Sequence, residues 1–129
     1  MLPEHLKYAK THEWANIDKN GTVIVGITDY AVGQLGDIVF LELPAPGKAV
    51  KKELPMATVE SVKAAVDIYS PLTGEVVQAN NELPQNLDKL TQDPYGSWFA
   101  KIKPIDLKEL DEMMDAAQYK KFLETQPMD

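Results

Sequence analysis

From Ala57 to Tyr69 the chain carries two alternating runs that mirror one another about Val62-Lys63, and no other stretch constrains the fold as strongly. Ala57, Val59 and Ser61 alternate with Thr58 and Glu60, while Ala64, Val66 and Ile68 alternate with Ala65, Asp67 and Tyr69. Successive strand residues point to opposite faces, and residues paired across two strands share a face. A hairpin with Val62-Lys63 as its two-residue loop sets Ser61 opposite Ala64, Val59 opposite Val66 and Ala57 opposite Ile68. The small and apolar residues then share one face, and Thr58, Glu60, Ala65, Asp67 and Tyr69 share the other. A slip of one residue destroys that match, so the register is specified. The loop itself breaks a local rule. Two-residue hairpin turns favour Asn-Gly, Asp-Gly or a glycine, which accept positive φ at little cost. Val-Lys does not, and a departure from a local rule marks a candidate functional site. The competing reading is a solvated lysine at an ordinary hairpin tip.

What that lysine can carry matters because the chain has no cysteine. Disulfides, thiolate metal sites and a cysteine nucleophile are excluded, and thiol chemistry must come from an attached group. At 129 residues the chain is expected to form one domain over 1–129, with a single core and a helical tail over about 106–124. The net charge of −7 argues against nucleic acid and anionic membrane surfaces as partners. Every basic side chain except the two histidines is a lysine, so there is no guanidinium fork to clamp phosphates or carboxylates. No apolar run is long enough to span a bilayer, and the start, Met1-Leu2-Pro3-Glu4-His5, has no signal or transit pattern. The expectation is a cytoplasmic protein, mitochondrial only if a transit peptide has been removed.

The remaining pattern is mainly β. Glu13 to Ile17 and Thr22 to Ile27 read as strands joined by the turn Asp18-Lys19-Asn20-Gly21. Thr28 is placed to cap a short helix, Asp29 to Leu35, which Gly36 stops. Strands are expected at Asp37 to Leu43, Lys48 to Lys52, Glu75 to Ala79 and Ser97 to Lys103, the last with Trp98, Ala100 and Ile102 on one face. Asn80 to Gly96 reads as loop with at most one helical turn. Asp106 with Glu109 suggests a capping box ahead of the stripe Leu107, Leu110, Met113 and Met114, and Asp115 starts a second helix through Tyr119, Phe122 and Leu123. The runs Gly36-Asp37-Ile38-Val39 and Gly74-Glu75-Val76-Val77 echo one another on either side of the hairpin. That echo suggests a pseudo-symmetric sandwich or flattened barrel with Lys63 at one pole.

Taken together, the chain resembles the H protein of the glycine cleavage system. The resemblance runs through His12-Glu13-Trp14, Gly26-Ile27-Thr28-Asp29-Tyr30-Ala31, Leu35-Gly36-Asp37-Ile38-Val39-Phe40, and Leu43-Pro44 before Pro46-Gly47. Its most specific block is Val59-Glu60-Ser61-Val62-Lys63-Ala64, followed by Asp67-Ile68-Tyr69-Ser70-Pro71 and Gly74-Glu75-Val76-Val77. Asp93-Pro94-Tyr95-Gly96, Trp98 and the helical tail complete it, so nearly the whole chain is covered.

The resemblance implies a lipoyl/biotinyl-carrier-like β-sandwich (a barrel-sandwich hybrid) without catalytic residues or a resident metal. Its cofactor is lipoate, amide-linked to a lysine that here is Lys63, with Glu60, Ser61, Val62 and Ala64 as attachment-motif neighbours. The implied partners are a pyridoxal-phosphate glycine decarboxylase, a tetrahydrofolate-dependent aminomethyltransferase, an FAD-containing dihydrolipoyl dehydrogenase and the lipoylating enzymes. The resemblance also makes Glu13 and Asp67, with Thr11 beside them, candidates for docking the loaded arm. Such an arm ends in a cationic amine that water can hydrolyse, so a carboxylate partner and exclusion of solvent both make physical sense. The competing reading of Glu13 and Asp67 is a pair of solvated strand carboxylates.

Three departures from the family pattern concern the surroundings of the site. Tyr30 stands where histidine is common, Val32-Gly33 where Gln-Asp or Gln-Glu is common, and Ser97 where glycine usually precedes the tryptophan. Gly33 inside a helix costs about 1 kcal/mol relative to alanine. Other readings weigh less. A biotin carrier normally has methionines flanking its lysine, and an acyltransferase lipoyl domain usually has aspartate before it. An H-like protein that relays lipoyl groups to other lipoate-dependent enzymes remains the alternative function. His5 and His12 are the only imidazoles, and no HExxH, nucleophile elbow or phosphate loop accompanies them.

Overall fold

The structure, a computed structural model, describes residues 2–126. Among the described residues nine strands form two sheets. They are β1 (Lys7–Tyr8), β2 (Glu13–Ile17), β3 (Val23–Ile27), β4 (Ile38–Glu42), β5 (Ala49–Val50), β6 (Pro55–Ser61), β7 (Ala65–Tyr69), β8 (Gly74–Ala79) and β9 (Ala100–Pro104). The larger sheet runs β1-β2-β3-β9-β8-β5 and the smaller β4-β6-β7. The helices are α1 (Asp29–Leu35), α2 (Leu87–Gln92) and α3 (Ala116–Glu124).

The central hairpin takes the register that alternation demands. Glu60 pairs with Ala65, Val59 with Val66, Thr58 with Asp67 and Ala57 with Ile68. Ala57, Val59, Ser61 and Ile68 are buried, whereas Ala65 and Asp67 are exposed. The apolar face closes on Val25, Leu72, Val76, Phe99 and Ile102, which hold the two sheets together as one core. The echoing runs open β4 and β8, which lie in different sheets.

α1 spans the expected residues. The Thr28 hydroxyl accepts from the Ala31 amide, Val32 and Leu35 face the core, and Gly36 ends the helix at φ +75°, where a side chain is strained.

Several expectations are corrected. The last strand begins at Ala100, not Ser97, because Phe99 and Ala100 are both fully buried and alternation fails between them. Trp98 therefore leaves the face of Ala100 and Ile102 and packs with Trp14, Tyr8 and Tyr119 in a second cluster. Lys48 to Lys52 shrinks to the two residues of β5. Asn80 to Gly96 holds a 3-10 turn at Leu83–Gln85 and the helix α2, anchored by the buried Leu83 and Leu90. The Asp106–Glu109 box forms only by half: Asp106 caps Lys108, but Glu109 reaches across to the amide and hydroxyl of Thr73. That segment is a 3-10 helix, Leu107–Glu112, with Leu107 exposed. The complete capping box lies at Asp115 and Gln118, ahead of α3. β1 has no counterpart in the expectations; its two residues are held by β2 and by Met114.

Gly26 shows how tightly β3 meets β2. A Cβ there would lie 2.5 Å from Trp14 Cζ2. Gly26→Ala is expected to displace the indole, lowering stability by about 1–3 kcal/mol. Denaturant unfolding together with Trp fluorescence measures both effects.

Candidate functional site

The hairpin tip resolves the odd Val-Lys turn without glycine. Neither Val62 nor Lys63 takes a positive φ; the only non-glycine residues that do are His12 and Glu53 among those described. Ser61 replaces what glycine would provide. Its amide donates to the Ala64 carbonyl at 2.7 Å, and its side-chain oxygen accepts from the amides of Lys63 at 3.3 Å and Ala64 at 3.2 Å. The Val62 amide donates to the Asp37 carbonyl at 3.0 Å, pinning the tip to the start of β4. The turn is thus held by a serine inside it and a carbonyl outside it.

Lys63 is exposed and has no ion-pair partner among the described residues. Its Cε passes 3.8 Å from the place a Cβ on Gly36 would occupy, so the stem leans over the end of α1. Glu60 is half-buried on the hairpin's outer face, and Val62 and Ala64 flank the lysine in the open.

Glu13 starts β2 and is buried despite its charge, 1% exposed. One carboxylate oxygen accepts from the Thr11 hydroxyl, the other from the Tyr69 amide at 3.3 Å. Burial pushes its pKa up to about 7, and these donors only partly offset that. The preceding turn sets the carboxylate's direction. His12 sits at φ +75°, its amide donates to the Ala9 carbonyl, and its carbonyl accepts from Thr28. The ring is locked as well: Nδ1 lies 2.7 Å from the Tyr119 hydroxyl, which is 2.8 Å from Thr28 Oγ1. Burial lowers the His12 pKa.

Thr11, Glu13 and Tyr69 line a cavity of about 510 Å³ whose far wall includes Pro71, Met113 and Met114. The structure brings Thr11 and Glu13 together there but leaves Asp67 outside it, exposed on β7 two residues nearer the tip. From Ala65 to Tyr69 the strand covers about 13 Å, which separates the tip from the carboxylate. Sequence reasoning missed the Tyr69 amide and the Tyr119 hydroxyl. The first is a backbone donor without a signature, and the second comes from 91 residues beyond its Thr28 partner.

Among the described residues no group of three His, Cys, Asp or Glu side chains is placed to hold a metal ion, and no helix is long and apolar enough to cross a membrane.

The class of protein is thus a mainly β, two-sheet sandwich with short helices, and one lysine stands on its pinned hairpin tip. The family model described as "Glycine cleavage H-protein" matches residues 6–126. The chain is 53% identical to a probable glycine cleavage system H protein of Pyrococcus abyssi, over 96% of this chain and 93% of that one. It is 46% identical to the glycine cleavage system H protein of Nitrosospira multiformis, over 97% of each. The crystal structure of a glycine cleavage system H protein from Mycobacterium marinum superposes with a TM-score of 0.85 at 32% identity, covering 93% of this chain and 97% of the other. The chain therefore belongs to the glycine cleavage H-protein family, the non-catalytic lipoate carriers of glycine cleavage.

Proposed function

We propose that Lys63 bears the lipoyl group in amide linkage and that the chain, one carrier domain over 1–129, shuttles the aminomethyl unit of glycine on it. The observation that carries the proposal is the tip itself: an exposed lysine, without an ion-pair partner among the described residues, on a turn fixed by Ser61 and Asp37. The residues fit the group. Acylation neutralises an amine that has no ionic partner to lose among the described residues, and the exposed tip leaves room for another enzyme's active site. Lipoate supplies the dithiol chemistry that a cysteine-free chain lacks. The partners are a glycine decarboxylase, an aminomethyltransferase, a dihydrolipoyl dehydrogenase and a lipoylating enzyme. Tethering replaces free diffusion among them with a high local concentration. The relatives named above are prokaryotic, which supports a cytoplasmic setting.

Glu13, with Thr11 as its hydroxyl donor, is the seat for the cationic amine of the loaded arm, and Asp67 is a carboxylate on its path along β7. Lipoylated Glu13→Ala/Asp67→Ala protein is expected to release its one-carbon unit to water several-fold faster than the parent. Formaldehyde release after loading measures this. An unchanged release rate, with Lys63 still lipoylated, would refute the docking role.

A further inference from the structure

Beyond that seat, we infer that the groove between α1 and α2 is a second resting place, taken by the uncharged arm before it is loaded. This second seat presupposes lipoylation of Lys63. The groove is about 600 Å³, with Val32, Gly33, Gly36, Pro94 and Tyr95 in its walls. Gly36 is also the residue that the Lys63 stem crosses, so the groove opens at the attachment point. Its length suits the arm. The seven residues of α1 rise about 10 Å. Beyond Lys63 Cε the arm spans roughly eight bonds of about 1.5 Å, which zigzag to about 10 Å.

Gly33 points the same way independently. It lies in the interior of α1, without the positive φ that would call for glycine. Nothing lies within 4 Å of the Cβ it lacks, so no packing within the chain requires a glycine there. A side chain at that position would project into open space at the groove wall and close part of the seat. This glycine therefore weakens the helix and, in return, leaves the groove open.

The electrostatics decide which form of the arm rests there. Asp29, Asp37 and Asp93 border the groove, but all three are exposed, and Asp29 already accepts from the Tyr95 hydroxyl at 2.7 Å. Water screens exposed carboxylates, so they hold a cation weakly. Glu13 is out of water, and a cation beside it is attracted far more strongly. The loaded, cationic arm therefore goes to Glu13. The neutral dithiolane carries no charge for Glu13 to attract and takes the groove that opens at its own attachment point, against Pro94 and Tyr95.

Amide NMR on unlipoylated and oxidised lipoylated protein tests this directly, paired with the rate at which a small water-soluble phosphine reduces the lipoyl disulfide. Lipoylation is expected to shift the amides of Gly33, Gly36 and Tyr95. Gly33→Leu, an exposed position whose backbone accepts any side chain, is expected to abolish those shifts and speed reduction several-fold. Three results would overturn the seat: equal reduction rates, shifts confined to Glu13 and Tyr69, or shifts in the groove only when a lipoylating enzyme is added, which would make it a partner's surface. Intact and peptide mass on the same sample keeps the two readings apart. Absence of a lipoyl group on Lys63 overturns the attachment itself, whereas its presence without groove shifts overturns only the second seat.

Discussion

Lys63→Arg is expected to remove the lipoyl mass increment completely and reduce glycine cleavage in a reconstituted system to its carrier-free background, while leaving the fold unchanged. Arginine keeps the positive charge and a long stem over Gly36, and the turn is held by Ser61 and by the Asp37 carbonyl rather than by the lysine side chain. An exposed substitution away from caps, cavities and buried polar groups changes stability by no more than about 0.5 kcal/mol. What changes is the chemistry. Acylation needs a neutral amine as nucleophile, and a guanidinium does not lose its proton in a protein. The remaining lysines are an internal control, since the chain has 13 lysines and no arginine. If the mutant still gained the lipoyl mass, the group would sit on another of them. Intact mass spectrometry after co-expression with a lipoylating enzyme, with denaturant melts of both proteins, measures the two halves of the expectation. A mutant that loses the increment and also unfolds early would mean that the lysine holds the tip, which its lack of an ion pair among the described residues argues against.

The hairpin was legible because one buried face fixes its register. Ala57, Val59, Val66 and Ile68 allow a single alignment, and that alignment puts Lys63 at the turn. α1 was legible for local reasons as well, with a threonine cap before it and a positive-φ glycine after it. What the sequence did not disclose lies where partners are distant or are backbone atoms. Glu109 reads as half of a capping box until Thr73, distant in sequence, offers an amide and a hydroxyl. Trp98 alternates correctly with Ala100 on paper, yet burial of Phe99 turns the chain and sends the indole to another cluster. α2 rests on Leu90 against the core rather than on helix propensity, so only tertiary packing reveals it. At the candidate site, the identity of Lys63 and its neighbours came from residue pattern and family resemblance. The state of Glu13 did not, because its burial depends on Tyr69 and on the left-handed His12 turn.

That state of Glu13 leads to the second large effect. Glu13→Gln is expected to stabilise the protein by about 3 kcal/mol at pH 8 and to leave it nearly unchanged at pH 4. Burial raises the carboxyl pKa from 4.5 unfolded to about 7 folded, so between those values the native state binds more protons than the unfolded state. Stability then falls as pH rises through that window, by about 1.4 kcal/mol for each pH step of one, and levels off above it. Glutamine has nearly the same shape and no proton to lose, so the difference between the two proteins isolates this one group. His12 acts in the opposite sense, because burial lowers its pKa and its contribution grows as pH rises toward the unfolded value of 6.5. It is present in both proteins and drops out of the difference. Denaturant unfolding of both proteins from pH 4 to 8 gives the two curves, and parallel curves would mean that Glu13 ionises as freely folded as unfolded. The same linkage bears on the proposed docking. A cation placed beside Glu13 favours the carboxylate, so seating a loaded arm near pH 7 should release a fraction of a proton. Glu13→Gln should abolish that release and hold the amine less tightly, because a neutral amide replaces the buried carboxylate.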